Sequence, residues 1–134
     1  MSKNRTLTQI ESEDWGDPTY DSYLVTTCHR LRHKPLSDFS TEDLRIMIGQ
    51  KFSLRYLMPI ALKLLEDDPL AEGDLFPGDL LCNVLKAGSE YYDANPKVLA
   101  KANDLLERAL TMVEHDKIVE NSLLEAHAVF MGNK

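Results

Sequence analysis

Long apolar runs, glycine-rich loops and paired cysteines are missing from this chain, and so, over two wide windows, is positive charge. No stretch of about 18 apolar residues occurs, which argues against a membrane-spanning helix. The N-terminus, Met1-Ser2-Lys3-Asn4-Arg5, runs into polar and acidic residues rather than a signal-peptide core, so a cytoplasmic location is expected. Cysteine is limited to Cys28 and Cys82, far apart and without metal-knuckle spacing. In a cytoplasmic protein they read as reduced core thiols. The glycines are scattered singly, so there is no phosphate-cradling loop. The serines fall at caps and loops, and no strand-turn-helix elbow exists to present one as a nucleophile. No segment alternates apolar and polar residues with β-branched enrichment, so no sheet is expected.

No Lys or Arg lies between Lys63 and Lys86, a window holding Glu66, Asp67, Asp68, Glu72, Asp74 and Asp79. None lies between Arg5 and Arg30, where Glu11, Glu13, Asp14, Asp17 and Asp21 fall. With 22 acids against 15 bases, the net charge is −7. That balance argues against direct nucleic-acid binding, which needs a basic footprint. It suits a basic protein partner, and equally an acidic surface kept for solubility. The acids lack the alternating spacing of a calcium-binding loop. At any single position, complementarity to a helix dipole accounts for an acid as well as a binding role does.

What is present is helical periodicity. Residues 40 to 66 organise the chain. Ser40 is a candidate N-cap, Glu42 and Asp43 supply first-turn acids, and Leu44, Met47 and Ile48 share one face. After Phe52, the residues Leu54, Leu57, Met58, Ala61, Leu62 and Leu65 recur at spacings of three and four. The two segments predict a helical hairpin. Pro59 leaves the Arg55 carbonyl without a donor, so the second helix kinks or restarts there.

Around this hairpin the spacing predicts a short helix over 6 to 13 and another from about 18 to 33. The second is started by Asp17-Pro18, with Tyr20, Leu24, Cys28 and Leu31 inward, Tyr23 and Thr27 widening that face, and Pro35 as the stop. A further helix opens at Pro77 and Asp79 with Leu80, Leu81, Val84 and Leu85 facing the core. Glu90-Tyr91-Tyr92-Asp93 reads as a connection or short turn. Asn95-Pro96 starts the cleanest stripe, from Val98 to Val113. His115-Asp116 is a break or is passed over. Ile118 to Met131 forms the last helix, with Val119, Leu123, Ala126 and Phe130 inward. The expected fold is all-α: one domain over residues 1–134, a bundle of about six helices.

His29 and His33, four apart on one helix, have the spacing to share a metal, and a metal-dependent hydrolase is the enzyme-class reading. A third ligand is not evident, and Arg30, Arg32 and Lys34 surround the pair. His115 and His127 are isolated. Neither an enzyme activity nor a cofactor has positive support. Among the aromatics, Trp15 and Phe76 are expected under their loops. Tyr91 and Tyr92 are the better interface anchors, because neighbours in a turn do not easily both face a core.

Several strings resemble one family, the immunity proteins of bacterial contact-dependent growth inhibition (CDI). They are Asp14-Trp15-Gly16-Asp17-Pro18-Thr19-Tyr20, Cys28-His29-Arg30-Leu31-Arg32, Lys34-Pro35-Leu36 and Glu42-Asp43-Leu44-Arg45-Ile46-Met47-Ile48-Gly49-Gln50. Pro69-Leu70 and Gly73-Asp74 with Pro77-Gly78-Asp79-Leu80-Leu81 continue the likeness, which covers residues 7–86; the helical part at 88–134 has no such counterpart. The resemblance implies a non-enzymatic cytoplasmic protein that binds the toxin domain delivered by a neighbouring cell, and covers its active site or blocks its access to substrate. Such toxins are often nucleases, whose basic groove an acidic surface would contest. On that reading Glu66, Asp67, Asp68, Glu72, Asp74, Asp79, Glu90, Tyr91, Tyr92 and Asp93 form the toxin-facing surface. The Cys-His-Arg and Trp-Gly-Asp-Pro strings are scaffold. The competing reading is an acidic helical adaptor or regulatory subunit for another protein partner.

Overall fold

The computed structural model describes residues 5–12, 22–113 and 115–132, the last four as backbone only. Trp15, the acids Glu13, Asp14, Asp17 and Asp21, the Asp17-Pro18 pair, Tyr20 and the side chain of Phe130 lie outside the described residues. Among those described there is no strand. Eight α-helices follow one another: α1 (Leu7–Glu11), α2 (Tyr23–Leu31), α3 (Thr41–Gly49), α4 (Leu54–Asp67), α5 (Asp79–Leu85), α6 (Ser89–Ala94), α7 (Pro96–Met112) and α8 (Lys117–Gly132). A 3-10 turn, Leu36–Asp38, links α2 to α3. The all-α expectation holds, with eight helices rather than six. The helix that the spacing did not show is short: the 89–94 segment, read as a connection or short turn, closes one and a half helical turns.

Polar side chains set the helix starts. Ser40 Oγ accepts from the Asp43 amide and the Asp43 carboxylate accepts from the Ser40 amide, a reciprocal capping box that opens α3. Thr6 and Gln9 do the same for α1. The cap of α2 is Ser22, whose Oγ accepts from Val25 N, so the helix begins about five residues later than its spacing suggested. Burial on α2 therefore starts only at Thr27. Tyr23 is 72% exposed and Leu24 38% exposed, and neither widens the core face. Pro96 occupies the first position of α7 as expected, but Asn95 does not cap it; its amide donates to the Tyr91 carbonyl instead.

α4 runs unbroken through Pro59, which is exposed. That continuity excludes the restart alternative, and Leu57, Met58, Ala61 and Leu65 stay fully buried on both sides of the proline. Two non-glycine residues in left-handed conformation, Lys51 (φ 61) and Ser53 (φ 54), turn the chain from α3 into α4.

α5 is the centre. Leu80, Leu81, Val84 and Leu85 are all 0% exposed, and the helix packs against α3, α4, α7 and α8. Such burial on every side leaves no polar stripe, which is how a short central helix differs from the amphipathic ones around it. The buried cluster takes residues from all eight helices, from Leu7 through Tyr92 to Leu123 and Ala126. Arg32 is buried with them. Its guanidinium donates to Glu11 at 2.5 Å, and Ser53 Oγ bonds the same carboxylate at 3.0–3.1 Å, joining α1, the end of α2 and the start of α4. Cys28 and Cys82 are free, buried thiols. Among the described residues no helix is long and apolar enough to cross a membrane.

Candidate functional site

The expected binding residues divide into two groups. Glu66, Asp67 and Asp68 end α4, and Glu72 and Asp74 lie in the loop that follows; all five are exposed. Glu90, Tyr91, Tyr92 and Asp93 lie on α6. α6 sits beside Lys51 and Leu54 at the other end of α4. Fourteen residues of α4 at 1.5 Å each separate the two groups by about 20 Å. They are two patches, not one face.

The patches differ in charge. Around α6, exposed Glu90 and Asp93 share their neighbourhood with exposed Lys51, Lys86 and Lys97. An open groove of about 380 Å³ runs there between Lys51, Leu54, Glu90, Tyr91 and Asn95. Tyr92 does not belong to any surface. It is 2% exposed, and its hydroxyl donates to the Val84 carbonyl. Burial pushes its phenol upward. Tyr91 is half-buried, meeting the Tyr92 ring edge-on at 5.4 Å, and both rings pack on the core. Two neighbouring rings face one core because a helix separates them by only 100°, within a wide buried arc.

The other patch carries acids alone on its exposed loop, and its backbone is held in detail. Asp79 does not face outward, as the sequence reading had it. It is 2% exposed, because its carboxylate turns back onto the loop. Asp79 Oδ1 accepts from Gly73 N at 2.7 Å, and Oδ2 accepts from Leu75 N at 3.0 Å and Phe76 N at 3.3 Å. The remaining amide of that run, Asp74 N, donates to Glu42 Oε1 at 2.8 Å. Arg45 joins the two carboxylates. It donates from Nε and a terminal nitrogen to the two Glu42 oxygens at 2.6 and 2.5 Å and lies 3.8 Å from Asp79. Hydrogen bonding from Arg45, with the Asp74 amide, holds the Glu42 carboxyl below its usual range against its partial burial.

The loop is also cinched at its ends. Gly78 N donates to the Leu70 carbonyl at 3.1 Å. Asp68 Oδ1 accepts from Leu70 N in an Asx turn. Gly78 has φ 88, a left-handed conformation that glycine takes without strain, so glycine suits the turn. Half-buried Phe76 packs on the core, as expected, while Leu75 stands 62% exposed between the acids. Nothing in the spacing signalled this clamp, since the contacts that tie Glu42 and Arg45 to the loop and to Asp79 cross more than thirty positions. At the base of the patch, Lys101 of α7 pairs with Glu66, and Arg108 donates to the Glu66 carbonyl.

Among the described residues, no three His, Cys, Asp or Glu side chains gather as a metal site, His29 and His33 included. The Cys-His-Arg string is built into the interior through Cys28 and Arg32. Burial raises both thiols, Cys82 to about 11.

A family model described as CDI immunity proteins matches residues 9–102. The match runs past the strings noted in the sequence to take in α6 and the first turns of α7. No curated protein and no solved structure matches the chain. With well over half its length inside that model, the chain belongs to the family of CDI immunity proteins.

Proposed function

We propose that the chain binds the toxin domain of a CDI system and neutralises it by occupancy, performing no reaction itself. Membership of the immunity family supports the partner. The exposed acids Glu66, Asp67, Asp68, Glu72 and Asp74 support the contact, since they form an acidic patch, Glu66 paired with Lys101 at its base, with an exposed apolar side chain, Leu75, among them. A nuclease toxin, acting in the cytoplasm, presents a cationic substrate groove. Acids that enter it displace substrate and speed encounter. The groove beside Tyr91, with its mixed charge, is a second surface of lower electrostatic match.

Reversing Asp67, Asp68 and Asp74 together to Lys tests the placement against the cognate CDI toxin domain. The triple variant is expected to bind at least tenfold more weakly at low salt, and to lose most of the fall in association rate that salt causes in the unaltered chain. Unchanged affinity removes the patch from the interface. Toxin activity that persists in cells expressing both partners removes the neutralising role altogether.

A further inference from the structure

Four successive loop amides, those of residues 73 to 76, are each taken by a carboxylate from outside their own run, and one guanidinium hydrogen-bonds the first carboxylate, Glu42, and lies 3.8 Å from the second, Asp79. Asp79 accepts three of these amide hydrogen bonds, on two oxygens, and Glu42 accepts the fourth. Arg45 holds the Glu42 acceptor directly through two hydrogen bonds and stands 3.8 Å from Asp79, where its charge faces the second carboxylate. Its own backbone is tied in as well, since Asn83 Nδ2 donates to the Arg45 carbonyl at 2.9 Å. Gly73 completes the fit: a Cβ there would come within 2.5 Å of Glu42 Oε1 and 3.3 Å of Arg45 Cδ. The outward side chains of the clamped run are those of Asp74 and Leu75, with Glu72 just before it.

We infer that Arg45 is a positioning residue for toxin binding: through Glu42 and Asp79 it holds residues 72–76 in their bound shape before the partner arrives. The inference rests on the proposed toxin-facing role of this loop. A loop already ordered loses little chain entropy on association, whereas a released one must be ordered at the partner's expense. Arg45 touches no toxin. Its loss acts on the affinity through the loop.

Arg45→Met keeps the aliphatic stem and removes the donors. Amide hydrogen exchange on the full chain alone is expected to rise about tenfold or more at residues 73–76, because exchange follows local opening. Affinity for the cognate CDI toxin domain is expected to fall about tenfold. Leu106→Ala, a buried truncation on α7, is the control for general destabilisation: it lowers the melting temperature while leaving affinity within about twofold. Arg45→Lys is expected to restore part of the affinity, having the charge without the fork. Should Arg45→Met not fold, Gly73→Ala pushes the Glu42 carboxylate off the Asp74 amide and is read the same way. Faster exchange with unchanged affinity overturns the positioning role, and so does unchanged exchange. An unaltered chain that binds no toxin sinks the functional proposal and this one with it, an outcome distinct from binding that ignores the loop.

Discussion

At the scale of residues, carboxylates in this chain do two different jobs, and burial separates them. Asp43 and Asp79 are 7% and 2% exposed, and Glu42 is largely covered; each satisfies backbone amides. Burial works against the Asp43 carboxylate, yet the Lys34 ammonium at 2.6 Å and the Ser40 amide hold it below the ordinary aspartate range. Glu42 is held low by Arg45. A carboxyl whose folded-state value is depressed adds stability above its unfolded value, and that stability is lost as pH falls through the folded one. Acid unfolding should therefore draw on Glu42 and Asp43 below about pH 4.5, the ordinary glutamate range. Glu42→Gln is expected to lower stability at neutral pH and to flatten the decline in denaturant midpoint between pH 5 and 3, roughly the span in which a paired carboxyl titrates. An unchanged acid limb in urea titrations would show that Glu42 is not linked to folding.

Helices here are set by their ends more than by their middles. The boxes at Thr6 and Ser40 and the cap at Ser22 start three of them, and the two left-handed residues before α4 force its turn. α4 carries a proline inside the helix. Pro59 is exposed, so its ring covers no core, and its missing N–H leaves the Arg55 carbonyl unserved by the helix. Pro59→Ala is expected to stabilise the chain by about 1–3 kcal/mol, the helix-interior cost of proline less what relaxation already recovers. Urea denaturation checks it, and a lower midpoint would mean that the proline shapes packing beyond α4. The stripes of α4, α5 and α7 were legible because spacing of three and four survives in the sequence. The start of α2 and the helical state of α6 were not: the first depended on which serine found an amide to accept from, the second on Tyr92 reaching the Val84 carbonyl of α5.

For the molecule as a whole, one interior holds elements from both ends of the chain. Cys28 on α2 and Cys82 on α5 report on it from separate elements, both buried and with thiols raised by burial. Thiol-reactive dye is expected to label neither in native buffer and both together across the unfolding transition. Early labelling of Cys28 alone would mark α2 as a unit that opens independently. The exterior divides just as firmly, an acidic patch at one end of α4 and a mixed-charge groove at the other. Salt dependence of toxin association is the whole-molecule signature of the first.

Composition and periodicity alone established an all-helical, acidic chain with its apolar stripes in place and, by resemblance, its family, because charge totals and helical spacing are properties of neighbours in sequence. Which acids reach solvent was decided only by the tertiary structure. Asp79 and Asp74 look alike in the chain, five positions apart. One is drawn inward by three loop amides and Arg45, and the other is left outside, since only folding brings residues 42, 45 and 73–79 within bonding distance.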